Sequence, residues 1–190
     1  MIKLKKIALL FFFISTFLGS ANAQQPSSVF DLNFEFQAYP TGLIPGIRLE
    51  KGFADRHALH LRLGYNWIRH RDLGEHDDER GDGYGFTLGY KYHLRDGFEG
   101  WFMGLRNDIW FNALYWEDYN DNDVVIDSGT SDIIVVQPTA EAGYTFLLGD
   151  GGWTFTPNIG FGFEVNVKTD GSDVGQGAIL LLGVKIGPRF

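Results

Sequence analysis

The stretch WTFTPNIGFGFEVNVK, residues 153–168, alternates without a break. Its odd positions are apolar or proline: Trp153, Phe155, Pro157, Ile159, Phe161, Phe163, Val165 and Val167. Its even positions are small, polar or charged: Thr154, Thr156, Asn158, Gly160, Gly162, Glu164, Asn166 and Lys168. A period of two sends successive side chains to opposite faces of a β-strand. At about 3.3 Å per residue, this strand is far longer than a soluble protein ordinarily uses. One of its faces is apolar over the whole length, and that face needs a solvent.

The pattern recurs. Seven further segments alternate in the same way: Ser28–Ala38, Leu43–Phe53, His57–Arg71, Tyr84–Leu94, Trp101–Trp116, Ile133–Leu148 and Gly177–Phe190. Each is bounded by Gly, Asp, Asn or Pro turn chemistry, and none carries a helical period. The expected fold is all-β: eight antiparallel strands in up-and-down order, in one domain over residues 24–190. YPTG, ADR, RDGFEG and GDGG read as short connections. GEHDDERGDG, EDYNDNDVVIDSGTSD and TDGSDVGQ read as longer, mobile, acidic loops gathered at one end. Pro45, Pro138, Pro157 and Pro188 fall inside strands, where each removes a ladder hydrogen bond or marks a bulge.

Residues 1–23 have the form of a secretory leader. Lys3, Lys5 and Lys6 precede the apolar run IALLFFFISTFL, and ANA supplies a small-residue cleavage site ending at Ala23. The run is shorter than the roughly 20 residues of a spanning helix. Cysteine is absent, so neither a disulfide framework nor an anchor through an N-terminal Cys is available. Losing the three leader lysines takes the formal charge from −8 to −11. A chain that acidic is not built for nucleic acid.

Alternation does not say which face points inward. A soluble ligand-carrying barrel would turn its apolar face in. Phe, Trp and Tyr make up 16% of the chain, and eight strands leave little interior room for so many rings. The opposite face is rich in Gly and small polar residues. Its charges nearly balance: Arg48, Arg62, Lys91, Arg106, Lys168, Lys185 and Arg189 against Asp31, Glu35, Glu50, Asp108, Glu141 and Glu164. Paired charge suits a dry lumen. Aromatics gather toward strand ends, with Tyr65, Trp67, Tyr84 and Tyr115 at the loop end and Tyr92, Trp101, Trp153 and Phe155 at the turn end. Two such girdles mark the two interfaces of a bilayer. The expected architecture is therefore an eight-stranded transmembrane β-barrel, apolar outside and polar inside.

In strand number, loop asymmetry and its terminal VKIGPRF, the chain resembles the small eight-stranded outer-membrane barrels of Gram-negative envelopes, the class of the outer membrane protein A barrel and outer membrane protein X. The resemblance covers the whole mature chain and carries no catalytic motif. It implies an outer-membrane location, contact with membrane lipid and lipopolysaccharide, and a monomer. It further implies that Phe190 acts as the signal read by the outer-membrane assembly machinery.

Motifs for chemistry are weak. His60 and His93 share the lumen face of neighbouring strands, but a structural metal site needs about four ligands. No metal or cofactor is expected. Lipid A deacylases and palmitoyltransferases share this barrel size, yet no Ser and His pair stands on a strand as nucleophile and base. Asp72, His70 and His76 could imitate the loop-rim Asp and His of outer-membrane proteases, which have more strands. Asp118, Asn120 and Asn122 begin like a calcium loop, but Asp123 stands where Gly belongs and Gly129 where the bidentate Glu belongs. The expectation is a non-enzymatic outer-membrane barrel that contributes to envelope integrity or to surface contacts made by its acidic extracellular loops. A narrow channel or small-molecule conduit is the first alternative, and a lipid-modifying enzyme the second.

Overall fold

Eight strands follow one another in the chain, and each pairs antiparallel with the next. They are β1 (Phe30–Tyr39), β2 (Gly42–Ala54), β3 (His57–Arg71), β4 (Asp78–His93), β5 (Gly100–Tyr119), β6 (Val125–Leu148), β7 (Trp153–Asp170) and β8 (Gly177–Pro188). Strand β8 returns to β1, with Phe34 opposite Ile186 and Glu35 opposite Lys185, and the sheet closes. Closure leaves no edge strand, so the ladder can satisfy backbone groups that hydrocarbon cannot. The structure is a computed structural model and describes residues 29–149 and 152–190. The leader expected at 1–23 lies outside them.

Burial alternates with the sequence, in the sense opposite to a soluble protein. In β1, Asp31, Asn33, Glu35 and Gln37 are buried, while Phe30, Leu32, Phe34 and Phe36 face out. The same inversion holds in β3, where Leu59, Leu61 and Leu63 are exposed and His60 and Arg62 are buried. A continuous apolar belt of this kind is stable only in lipid. The chain is a membrane-spanning β-barrel.

Three expectations need correction. First, two of the three acidic segments are mostly strand, while TDGSDVGQ remains a connection over residues 171–176. β4 begins at Asp78 and β6 at Val125, so only residues 72–77 and 120–124 connect the projecting hairpins. The β5–β6 ladder runs on through Trp116↔Gly129 and Asp118↔Asp127. Above a membrane both faces of a hairpin meet water, so polarity stops discriminating and backbone pairing alone carries the strand onward. Second, Lys168 is not in the lumen. Ile134 pairs with Lys168 and Val135 with Asn166, leaving Val167 as a bulge residue. One extra residue reverses the facing of the residues after it, and Lys168 is exposed. Third, the interior does hold rings. Tyr39, Phe98, Phe102, Trp110 and Trp116 are all buried. Each lies against a glycine whose Cβ would collide with it: Gly42, Gly52, Gly143, Gly85 and Gly129 respectively. The glycines scattered through the inward register are the space these rings occupy.

Three of the four strand prolines sit at interruptions, and Pro188 ends β8. The β2–β3 ladder skips from Leu43↔Trp67 to Gly46↔Gly64 at Pro45. The β6–β7 ladder skips at Pro138 and again at Pro157. A residue with no N–H lies where a ladder bond is already missing.

Candidate functional site

The lumen is built in layers. At the turn end, the β4–β5 connection folds inward and tucks Phe98 into the barrel. Phe98 has a φ of 58°, unusual for a residue with a side chain. Arg189 holds the connection from below, donating to the carbonyls of Gly97 and Phe98 at 3.1 Å each. The same guanidinium grips Asp31 with two bonds of 2.7 Å. Above them Glu50 receives Lys91, with Lys185 Nζ at 3.7 Å and His93 Nε2 at 3.7 Å. Both ammonium groups stand over the ring of Phe102, at 4.4 and 5.0 Å from its centre.

The middle layer centres on Glu35. Arg48 binds it in bidentate fashion, Nε to Oε2 at 2.7 Å and Nη2 to Oε1 at 2.9 Å. Arg62 and Arg106 approach the same carboxylate at 3.9 and 3.8 Å. Glu141 reaches Arg48 at 3.4 Å and Arg106 at 3.8 Å. Asp108 takes Arg62 at 2.8 Å and Arg106 at 3.3 Å. Planar guanidinium groups can serve two carboxylates at once, and each of these three does so. Three neutral members were not singled out by the sequence: Gln37 bridges Glu35, Arg62 and Arg106, Thr87 accepts from Arg62 and donates to Asp108, and Trp110 lies 5.4 Å under Arg62. Their positions on the inward register were the available clue.

The loop-end layer is apolar. Ile44, Ile68, Leu114, Ile133, Val135, Ile179 and Leu181 pack with Tyr39 and Trp110 into one buried cluster, and Val174 of the β7–β8 connection joins it from above. Glu164 borders this layer, half-buried and in no ion pair with a described residue. The void beside it is about 10 Å³, about one water probe at most.

The mouth is clasped by Glu79. Its Oε1 accepts from the backbone N–H of Glu75 at 2.8 Å and of His76 at 3.2 Å. Both its oxygens accept from the N–H of Gly175, and His70 Nδ1 lies 3.0 Å from Oε2. One carboxylate thus joins the β3–β4 and β7–β8 connections across the opening. Burial pushes the Glu79 carboxyl up, but the His70 contact and the donated N–H groups outweigh it and hold it below its ordinary 4.5. His76 stacks on Trp116 at 3.9 Å and meets Asp118 at 3.0 Å.

The weaker motifs do not assemble. Asp118 is engaged with His76 and the Asp77 N–H, while Asn120 Oδ1 accepts from the N–H groups of Asn122 and Val124. These oxygens serve the local fold and do not converge. His70 and His76 are engaged with Glu79 and Asp118, and neither makes an ion pair with Asp72. Ser131 donates to the carbonyl of Ser172. Among the described residues no cluster of three His, Asp or Glu side chains could hold a metal ion.

Aromatic rings ring both ends of the belt. Tyr65 and Trp67 meet edge to face beside Tyr84, and Arg80 lies 5.0 Å over Tyr115. At the other end Trp101 packs on Tyr144, Phe146 on Phe155, and Tyr92 on His57, with Trp153 exposed. Phe190 packs on Phe30 and exchanges two backbone hydrogen bonds with it, of 3.1 and 2.9 Å.

Geometry therefore defines the class: an eight-stranded up-and-down membrane β-barrel with a filled lumen. No family model and no curated protein matches the chain. Among solved structures it is similar to the N-terminal β-barrel domain of Pseudomonas aeruginosa OprF, at 14% identity over 88% of this chain and 100% of that one, with a TM-score of 0.48. It is also similar to Neisserial surface protein A (NspA), at 11% identity over 84% of this chain and 95% of that one, with a TM-score of 0.44. The closed ring of strands, and not these distant likenesses, carries the fold.

Proposed function

We propose that this protein is a non-enzymatic barrel of a Gram-negative outer membrane, closed to solutes, that acts through its envelope position and the acidic surface above the loop-end girdle. The observation that supports this most is the filled interior. Phe98 stops the turn end, interlocked arginines and carboxylates fill the middle, and an apolar layer under the Glu79 clasp closes the top. A conduit needs a water-filled path, and the interior void beside Glu164 holds about one water at most. Catalysis needs a nucleophile within reach of a base, and the hydroxyl of Ser131 is committed to a backbone carbonyl. Surface contacts fall to the β5–β6 hairpin and its neighbours, where Asp72, Asp77, Asp121 and Asp123 line a cleft with Arg69 and Arg71. Membrane lipid and lipopolysaccharide surround the belt in this reading, and Phe190 addresses the assembly machinery.

The test is fractionation with conductance. The protein should partition with the outer membrane and migrate differently before and after boiling. In planar bilayers it should give no steady channels. Recovery as a soluble periplasmic protein would refute the membrane reading, and stable openings of one defined size would favour the conduit.

A further inference from the structure

Among the described residues between the two aromatic girdles, the outward register holds one misfit. Along β5 it reads Trp101, Met103, Leu105, Asn107, Ile109, Phe111. Asn107 stands between the buried Arg106 and Asp108, so its own side chain points out, and it borders an external groove with Leu59, Leu88, Tyr90 and Leu105. Across the strands, the paired row through this position reads Leu32, Leu49, Leu61, Leu88, Asn107, Pro138. Four leucines lead to an amide. Asn107 lies about midway between Trp101 at one interface and Tyr115 at the other. Its carboxamide makes no hydrogen bond to another described residue. In hydrocarbon such a group has no water to turn to, and lipid headgroups do not reach that depth.

We infer that the β5–β6 wall around Asn107 is a dimer interface that binds a second copy of this chain within the membrane. The chemistry selects the occupant. A carboxamide is both donor and acceptor, so two Asn107 amides facing each other across a two-fold axis satisfy one another with a pair of N–H···O bonds. Polar side chains join membrane segments in this way. The surroundings permit close approach: Pro138, Ala140 and Ala142 on β6 are the small outward residues beside it, where the rest of the belt is largely Leu, Ile, Phe and Tyr. A lone bilayer-facing barrel gains nothing from an amide at this point. The inference departs from the monomer expected from sequence and goes beyond the proposed function.

The chain has no cysteine, so single-cysteine variants report one contact each. Ala140→Cys and Ile47→Cys place thiols on opposite walls of the barrel. Each is folded into phosphatidylcholine vesicles at high lipid-to-protein ratio, checked for heat-modifiable migration, and oxidised. The disulfide-linked dimer should form from Ala140→Cys about fivefold more than from Ile47→Cys, the scale expected of one polar membrane contact. Adding Asn107→Leu to Ala140→Cys should bring the yield down to that of Ile47→Cys, with unfolding stability of the barrel unchanged or raised. Equal yields from the two walls would overturn the inference, as would a yield indifferent to Asn107→Leu. A loss of barrel stability in Asn107→Leu would also overturn it, because the amide would then be serving the barrel's own backbone beside Pro138. Failure of the chain to enter vesicles would refute the membrane reading itself.

Discussion

Glu35 touches three guanidinium groups and is fully buried, so it is the residue on which the lumen depends most directly. Glu35→Ala leaves Arg48 buried with a weaker partner, and removing one member of a buried pair costs about 3–5 kcal/mol. Reversible denaturant unfolding in detergent or vesicles measures it. Glu164 looks equivalent in sequence but joins no ion pair among the described residues. Glu164→Gln should therefore change stability by no more than about 0.5 kcal/mol. On the other face, Phe161 is 52% exposed to what must be lipid. Phe161→Arg should cost about 2–4 kcal/mol near the midplane, and Phe161→Leu little. A silent Phe161→Arg would reverse the assignment of faces.

Two connections and one strand end meet at Glu79, and their behaviour should be shared. Glu79→Ala removes the acceptor for the N–H groups of Glu75, His76 and Gly175 together. Hydrogen exchange at His76 and Gly175 should accelerate by about tenfold or more, with little change in the β1–β2 ladder, because local opening draws on local contacts. The pH dependence has a definite sign. Glu79 is held below its ordinary 4.5, so the clasp contributes fully above that value and is lost as pH falls through the lowered one. Protection of both loops, taken relative to the intrinsic exchange rate at each pH, should therefore fall together in acid and not in alkali, and Glu79→Ala should abolish that fall. Inside the barrel, ring and glycine are matched across strands. Gly85→Val drives a side chain into Trp110 and the β5 backbone, an overpacking that should cost about 1–3 kcal/mol, read from the unfolding midpoint in detergent.

Taken whole, the barrel is closed at three heights by three different means: a tucked aromatic, an ion-pair lattice and an apolar layer. Opening a path would require all three to move at once. Steady conductance should stay absent even in Glu79→Ala, which frees only the mouth. Single-channel recording of that variant separates a plugged barrel from a gated one, since a gated conduit would open when its clasp is removed.

Strand order, the inverted faces and the closed barrel were legible in the sequence because each depends on a local rule repeated many times. Residues 153–168 state the alternation, and seven other segments repeat it, so small local errors do not change the answer. The inward register likewise carried the acids and bases now seen around Glu35 and Glu50, since period two assigns a face without knowledge of any partner. What failed was whatever depended on a single extra residue or on a contact between distant segments. The bulge at Val167 sends Lys168 outward, and no local pattern announces it. The fit of Trp110 against Gly85 and Gly64 joins three strands, so composition alone suggested that rings would not enter. Glu79 read as one acid in an acidic loop. Only the closed barrel brings Gly175 to it from 96 positions away, and with that contact the mouth acquires its clasp.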